Sequence, residues 1–263
     1  MPTARLNGVD LYYEQHGDGL PVVFLNGIMM TVASWRPQLA ALRPSFRCVL
    51  HDMRGQLKSE KPEAITLQDH VEDLRALLDH LEIDQCHLVG TSYGGEVGML
   101  FALAHPERVR SLAVISAVSE VGPRLRQQTE AWASVARECP GQLYDVSIPD
   151  NYSPAFLEAH PEVVEAGRKR LASYPADFFP AFARLVEAFL TLDITERLPA
   201  ITCPTLVLCG SDDTLKPVSY SRVIAERIPD ATFLTVPDAG HAVVVERPAE
   251  VNTALLGFLA RVG

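Results

Sequence analysis

Three kinds of side chain that together can activate a nucleophile occur in order along this 263-residue chain. Ser92 lies in the motif Gly-x-Ser-x-Gly, the pair Asp212-Asp213 follows Gly210, and His241 comes near the C-terminus. A serine hydroxyl is a poor nucleophile until a base removes its proton. The base is typically a histidine that a carboxylate orients. These residue types therefore predict attack of a serine oxygen on a carbonyl carbon.

The segments on either side of Ser92 predict how that serine is held. A short apolar run at 86–89 precedes the motif, and a helix-like run at 96–104 follows it. A serine between a strand and a helix matches the sharp turn known as the nucleophile elbow. Side chains at Gly90 and Gly94 would collide with the neighbouring strand and helix. The turn also places the serine at a helix N-terminus, whose N–H groups favour negative charge.

The base must come from one of eight histidines, and His241 is the best placed of them. It lies in the loop after an apolar run that ends at Val236. Loops at the carboxyl ends of parallel strands share one crevice, where ligands bind in such sheets. We interpret His51, His87 and His105 as structural.

Strand-like and helix-like segments alternate along most of the chain. Apolar runs that predict strands occur at 21–25, 47–51, 86–89, 111–118, 204–210 and 231–236. Such alternation implies an α/β fold with a mainly parallel central sheet and helices on both faces. Residues 3–17 add a predicted hairpin, because Asn7-Gly8 is a strong two-residue turn signal.

The alternation lapses between about residues 120 and 199. This interval is helix-rich and aromatic, and it contains no convincing strand. We therefore predict a sheet core made of residues 1–119 and 200–263, with residues 120–199 inserted as a helical cap or lid.

The whole pattern resembles the α/β-hydrolase fold superfamily, with similarity to serine esterases and enol-lactonases. The motifs that carry the resemblance, in chain order, are Asn26-Gly27, Asp52-x-Arg54-Gly55, the elbow at Ser92, Gly210-x-x-Asp213 and Gly240-His241. The resemblance implies a catalytic triad of Ser92, His241 and Asp213, since family members usually place the acid three residues after that glycine. Asp212 and Glu120 are the alternatives for the acid, and we interpret Asp238 as part of the loop.

The resemblance also implies an oxyanion hole, formed by the backbone N–H groups of Ile28 and Tyr93. Many members have His-Gly where this chain has Asn26-Gly27. Asn26 either braces the loop, as the histidine would, or belongs with a loop similar to that of the acyltransferase that builds the lipid half of rhamnolipids. The side chains predicted to bind substrate are Asn26, Met29, Met30, Trp132, Phe178 and Phe179.

Glu96 is unusual because it lies one helical turn after Ser92 in a run of small and apolar residues. A buried carboxylate needs either a partner or a proton. Two interpretations stay open: a structural carboxylate, or one with an acid–base or substrate-orienting role.

Together these features predict hydrolysis of a small apolar ester or lactone, without a cofactor or metal. The alternative is acyl transfer from a thioester carrier to a hydroxy acid, and a third possibility is a non-catalytic binding protein. The formal net charge of −10 argues against nucleic acid and anionic membrane surfaces. We expect a cytoplasmic protein, because the chain shows neither a signal peptide nor a long uncharged apolar stretch. The sequence does not predict the oligomeric state.

Overall fold

The strands form where the apolar runs occur. In the computed structural model, which describes residues 2–262, they are β1 (Thr3–Leu6), β2 (Val9–His16), β3 (Leu20–Leu25), β4 (Phe46–His51), β5 (Cys86–Thr91), β6 (Val109–Ile115), β7 (Thr205–Gly210) and β8 (Ala231–Val236). They form one sheet in the order β1-β2-β4-β3-β5-β6-β7-β8. Strands β3 to β8 run parallel, whereas β1 and β2 run antiparallel to their neighbours. The predicted mainly parallel sheet is confirmed.

The hairpin forms at the predicted turn. Strands β1 and β2 pair with Leu6 opposite Val9, which leaves Asn7 and Gly8 as the two turn residues. Both have positive φ angles, 45° and 80°. This is the left-handed backbone that a tight two-residue hairpin turn requires and that Asn-Gly readily adopts.

Helices cover both faces of the sheet. Within the described residues they are α1 (Arg36–Leu42), α2 (Leu67–His80), α3 (Tyr93–Ala104), α4 (Pro123–Glu138), α5 (Leu143–Asn151), α6 (Pro154–Ala159), α7 (Pro161–Ala172), α8 (Phe178–Phe189), α9 (Val218–Arg227), α10 (Val243–Glu246) and α11 (Pro248–Val262). Adjacent residues of one strand enter different buried clusters: Leu88 belongs to the cluster that includes α2 and α3, whereas Val89 belongs to the one that includes α11. This alternation follows from the two-residue period of a β-strand.

The chain between β6 and β7 is helical, as the sequence predicts. It contains α4 to α8, and its one β-bridge among the described residues joins Glu120 to Asp193. Helices α5 and α7 approach closely, since a Cβ atom on Gly167 would lie 1.8 Å from the Tyr144 hydroxyl oxygen. The division at 119/120 and 199/200 into core and cap stays a prediction.

Strand β6 is shorter than the predicted run at 111–118. It ends at Ile115 because Ser116 has a φ angle of 49°, which turns the chain out of the sheet. Val118 then lies beneath α3, where its N–H donates to the Glu96 carboxylate. Within residues 2–262, none of the helices has the length and apolar character needed to span a bilayer.

Candidate active site

Ser92 lies at the turn that joins β5 to α3. Its φ and ψ angles are 51° and −122°, a strained backbone for a residue with a side chain. Three hydrogen bonds hold it there: the Ser92 N–H donates to the Ile115 carbonyl at 2.8 Å, and the Ser92 carbonyl accepts from the Gly95 N–H at 2.8 Å and from the Glu96 N–H at 3.2 Å. The strain is therefore imposed by the surrounding sheet and helix.

The glycines on either side make this turn possible. A Cβ atom on Gly90 would lie 2.3 Å from the Gly94 carbonyl oxygen, and one on Gly94 would lie 2.0 Å from the Leu25 carbonyl oxygen. The first contact is with the helix and the second with the neighbouring strand. Both collisions predicted from the motif occur in the structure.

The side chains of Ser92, His241 and Asp213 meet at the carboxyl ends of the parallel strands. The distance from His241 Nε2 to Ser92 Oγ is 2.9 Å, and the distance from His241 Nδ1 to Asp213 Oδ2 is also 2.9 Å. Asp213 Oδ1 accepts a 2.7 Å hydrogen bond from the Lys216 backbone N–H. The Asp213 carboxylate is fully buried. The arrangement can pass a proton from the serine to a histidine whose orientation is held by a carboxylate.

The other acidic candidates lie elsewhere. Asp212 is exposed and accepts a hydrogen bond from the Ser211 hydroxyl at 2.8 Å. Glu120 accepts one from the Thr195 hydroxyl at 3.1 Å. Asp238 has a φ angle of 52° and occupies the turn after β8. The structure therefore places Asp213, and none of these three carboxylates, against His241.

The histidines interpreted as structural do not reach Ser92. His51 and His87 are buried, and burial lowers the pKa of each to about 4, so both are neutral at pH 7. His87 Nδ1 lies 2.8 Å from the Ser111 hydroxyl oxygen. His105 caps the end of α3 and packs on the Phe101 ring.

The predicted oxyanion donors flank Ser92. Tyr93 begins α3, so its N–H is one of the first-turn groups without an intrahelical acceptor. Ile28 lies in a tight turn in which the Met30 N–H donates to the Gly27 carbonyl at 2.9 Å. Ile28, Tyr93 and Ser92 line one small recess. Their assignment as an oxyanion hole is part of the function proposed below.

Asn26 braces this loop and does not contact the cavity, which corrects the prediction that it binds substrate. Its side chain is fully buried, its Nδ2 donates to the His51 carbonyl at 3.0 Å and to Gln56 Oε1 at 3.0 Å, and its Oδ1 accepts from Trp35 Nε1 at 2.8 Å. Gln56 Nε2 in turn donates to the Gly27 carbonyl at 2.9 Å. The bracing interpretation of Asn26 is the one that the structure supports.

A cavity of about 920 Å³, including its opening, lies in front of Ser92 and His241. Met29, Met30 and Trp132 line it, as predicted. The sequence missed other lining side chains, which include Tyr144, Ile148, Tyr152, Arg170, Leu171, Tyr174, Leu215, Val244 and Val245. Helix α5 contributes Tyr144 and Ile148, and α7 contributes Arg170 and Leu171. A helical face does not reveal from the sequence which of its residues will meet a cavity.

Phe178 and Phe179 do not line this cavity, so their prediction as substrate contacts is wrong. The Phe178 ring is 2% exposed and packs on the rings of Tyr174, Phe179 and Phe182. Phe179 is partly buried against the same core. Helix α8 is amphipathic, and its apolar face packs against α4 and the core.

Lys216 contacts Ser92, and the sequence analysis did not anticipate it either. Its Nζ lies 2.8 Å from Glu96 Oε1 and 3.1 Å from Ser92 Oγ. Burial raises the pKa of the Glu96 carboxyl, and the ammonium of Lys216 opposes part of that rise. The signal was available in part, because a carboxylate in an apolar helix needs a partner and Lys216 follows Asp213 by three residues. Only the folded chain shows that the two meet beside the serine.

This fold and this arrangement of side chains define an α/β hydrolase. A family profile described as the alpha/beta hydrolase fold matches residues 21–248. The chain belongs to this family, as the sequence resemblance predicts.

Among named relatives, the chain is similar to the "Putative carbamate hydrolase RutD" of Azorhizobium caulinodans, with 32% identity over 269 residues covering 100% of this chain and 99% of the relative. Two solved structures are also similar. The enol-lactonase from Burkholderia xenovorans LB400 has a TM-score of 0.91 at 27% identity, covering 98% of this chain and 100% of the other. The thermophilic esterase from Thermogutta terrifontis has a TM-score of 0.90 at 30% identity, covering 100% of this chain and 99% of the esterase. These similarities support a hydrolase of the serine type.

Proposed function

We propose that this protein hydrolyses a carboxylic ester or lactone through an acyl-enzyme formed at Ser92. The observation that carries the proposal is the pair of 2.9 Å contacts that connect Ser92, His241 and Asp213 at the wall of a largely apolar cavity. A serine with a hydrogen-bonded histidine and a buried carboxylate is the arrangement that acyl transfer requires.

In the acylation step, Ser92 Oγ attacks the substrate carbonyl carbon while His241 Nε2 takes the serine proton. The negative charge that develops on the carbonyl oxygen is stabilised by the N–H groups of Ile28 and Tyr93. His241 then gives the proton to the leaving oxygen. Asp213 accepts the hydrogen bond of the Nδ1–H, which keeps Nε2 free as a base and stabilises the imidazolium.

In the deacylation step, water attacks the acyl carbon of the Ser92 ester. His241 removes a proton from that water and returns it to Ser92 Oγ as the acid product leaves. Each step moves one proton through the same nitrogen, so the histidine alternates between base and acid.

The walls of the cavity favour a small, mainly apolar substrate. Met29, Met30 and Trp132 present apolar surface near the serine, and apolar and aromatic side chains are the usual lining of small-molecule sites. Arg170 and the hydroxyl-bearing rings of Tyr144, Tyr152 and Tyr174 also line the cavity, and the charge of Arg170 acts on all three hydroxyls. Such polar groups orient a ligand within an apolar cavity.

A carbamate is the second candidate substrate, because the relatives that match along almost the whole chain bear the name "Putative carbamate hydrolase RutD". A carbamate carbonyl would react with Ser92 in the same way, and only the leaving group would differ. The same residues therefore serve either substrate.

The test compares wild type with Ser92→Ala on p-nitrophenyl esters of increasing chain length, lactones, an aryl carbamate, and an acyl-thioester with and without a hydroxy acid. We expect ester or lactone hydrolysis that Ser92→Ala reduces by about 10⁶-fold, together with fluorophosphonate labelling at Ser92. Preferential carbamate turnover would favour the second candidate. A new ester formed from the thioester and hydroxy acid would instead establish acyl transfer, and absence of both turnover and labelling would exclude catalysis at this serine.

A further inference from the structure

The ion pair between Lys216 and Glu96 lies directly behind the proposed nucleophile. The Lys216 side chain is 4% exposed and that of Glu96 is 0% exposed. Lys216 Nζ also donates to Ser92 Oγ at 3.1 Å. A triad of serine, histidine and aspartate does not need this contact, so the lysine requires its own explanation.

The surrounding structure directs the ammonium toward the serine. The Lys216 backbone N–H donates to Asp213 Oδ1 at 2.7 Å, which ties the lysine to the carboxylate that faces His241. Glu96 Oε1 accepts both from Lys216 and from the Val118 N–H, at 2.8 and 2.9 Å. The centre of the Phe189 ring lies 4.7 Å from Nζ on another side. The ammonium is therefore held from several directions.

Stability alone does not account for this pair. Removing two charges from water costs several kcal/mol for each ion, and apolar residues of similar size are often as stable or more stable in such a place. A buried pair of this kind becomes understandable when one of its members acts on a reacting atom. Lys216 contacts that atom directly.

We propose that Lys216 is a fourth catalytic residue, whose ammonium donates a hydrogen bond to Ser92 Oγ whenever that oxygen carries developing negative charge. The proposal rests on the function proposed above. Ser92 Oγ donates its proton to His241 Nε2 and accepts from Lys216 Nζ, so the two contacts are compatible. Glu96 is the positioning residue that holds the ammonium in place.

The charge on Ser92 Oγ develops twice in the reaction. In acylation the proton passes from Oγ to His241 Nε2 as the bond to the carbonyl carbon forms, and the charge ends on the carbonyl oxygen. In deacylation the bond between Oγ and the acyl carbon breaks, and Oγ takes the proton back from His241. Lys216 keeps its own protons in both steps. Because Lys216 shares a recess with Ile28 and Tyr93, it lies on the side of the predicted oxyanion hole.

The experiment measures p-nitrophenyl butyrate hydrolysis and the rate of fluorophosphonate labelling in wild type, Lys216→Met, Glu96→Gln and the double variant Lys216→Met/Glu96→Gln. We expect Lys216→Met to lower kcat about 10²-fold with little change in KM, as for loss of one donor to a developing charge. Labelling should slow in proportion yet still occur at Ser92. Lys169→Met is the matched control, because Lys169 is 75% exposed and its described ion pair is with Glu165 on α7, away from the serine.

The double variant separates catalysis from structure. It removes both charges, so no buried ion is left unpaired, and the amide oxygen that Glu96→Gln introduces would remain an acceptor for the Val118 N–H. If Lys216 is catalytic, the double variant unfolds near the wild-type temperature but stays about as slow as Lys216→Met. Recovery of kcat in the double variant would overturn the proposal, as would wild-type kcat in Lys216→Met. If wild type itself neither hydrolysed nor labelled, the proposed function and the role of Lys216 would both fall.

Discussion

Replacing Asp213 by asparagine is a precise test of the proposed proton relay. In wild type, Asp213 Oδ1 accepts from the Lys216 backbone N–H and Oδ2 accepts from His241 Nδ1. The Lys216 N–H can only donate, so it selects the orientation in which the amide oxygen of Asp213→Asn faces the backbone. The amide NH₂ then faces His241 and donates to Nδ1. His241 is thereby forced into the tautomer with a proton on Nε2, which cannot accept the proton of Ser92.

The expected effect is large because the base is lost while the geometry stays intact. The wrong histidine tautomer costs about 10⁴-fold in kcat in a serine hydrolase, or about 5 kcal/mol in the activation free energy. The assay is steady-state hydrolysis of a p-nitrophenyl ester at pH 7, with thermal unfolding measured alongside. We expect KM to change little, since the Asp213 side chain is buried behind His241 and does not line the cavity.

The matched control is Asp212→Asn. Asp212 carries the same charge one residue earlier, is exposed, and accepts only from the neighbouring Ser211 hydroxyl among the contacts described. It should keep wild-type kcat within about threefold, a difference of about 0.7 kcal/mol in activation free energy. If Asp213→Asn kept more than a tenth of wild-type kcat, or if Asp212→Asn were the slower variant, the assignment of the acid would be refuted.

Three further changes test the elbow, the cavity and a buried histidine. Gly94→Ala should prevent soluble expression, because its Cβ would lie 2.0 Å from the Leu25 carbonyl oxygen; normal expression and activity would contradict this. Trp132→Ala should shift the ester preference toward longer chains by enlarging the cavity, whereas Phe178→Ala should leave the preference unchanged and lower the free energy of unfolding by about 3–5 kcal/mol; equal shifts in a chain-length series would refute the distinction. Burial lowers the pKa of His70 in the folded protein to about 3, whereas its pKa in the unfolded chain is about 6.5. Between these two values only the unfolded chain binds a proton at this imidazole, so the free energy of unfolding decreases as the pH falls from 6.5 toward 3. His70→Phe should remove about 2 kcal/mol of the loss between pH 7 and pH 5, and an unchanged pH dependence in urea titrations would contradict it.

Local patterns in the sequence were sufficient to predict the fold and to select Ser92 and His241 as the candidate nucleophile and base. The apolar runs were long enough to predict the parallel strands, and the glycines at 90 and 94 identified the elbow because their collisions involve atoms close in the chain or on the adjacent strand. The loops after β7 and β8 placed an acid and a histidine at the same edge of the sheet. Periodicity and steric limits are properties of short segments, so they are visible before folding.

Which carboxylate faces the histidine was decided by the tertiary structure, with the family resemblance as the only earlier guide. Asp212 and Asp213 differ by one position, and the Lys216 N–H and His241 distinguish them only in the folded loop. The same holds for Asn26, whose four buried side-chain hydrogen bonds involve residues 9 to 30 positions away along the chain.

The walls of the cavity and the lysine beside the nucleophile also depended on the tertiary structure. Phe178 and Trp132 are both aromatic residues on helices of the inserted segment, yet one packs in the core and the other lines the cavity. The sequence indicated that Glu96 needs a partner, but the partner lies 120 positions away. The sequence by itself determined the strands, the elbow and the order of serine, acid and histidine, because these depend on local spacing. Only the tertiary structure shows which side chains line the cavity and which lysine contacts the serine, because contacts between distant segments depend on how the helices pack on the sheet.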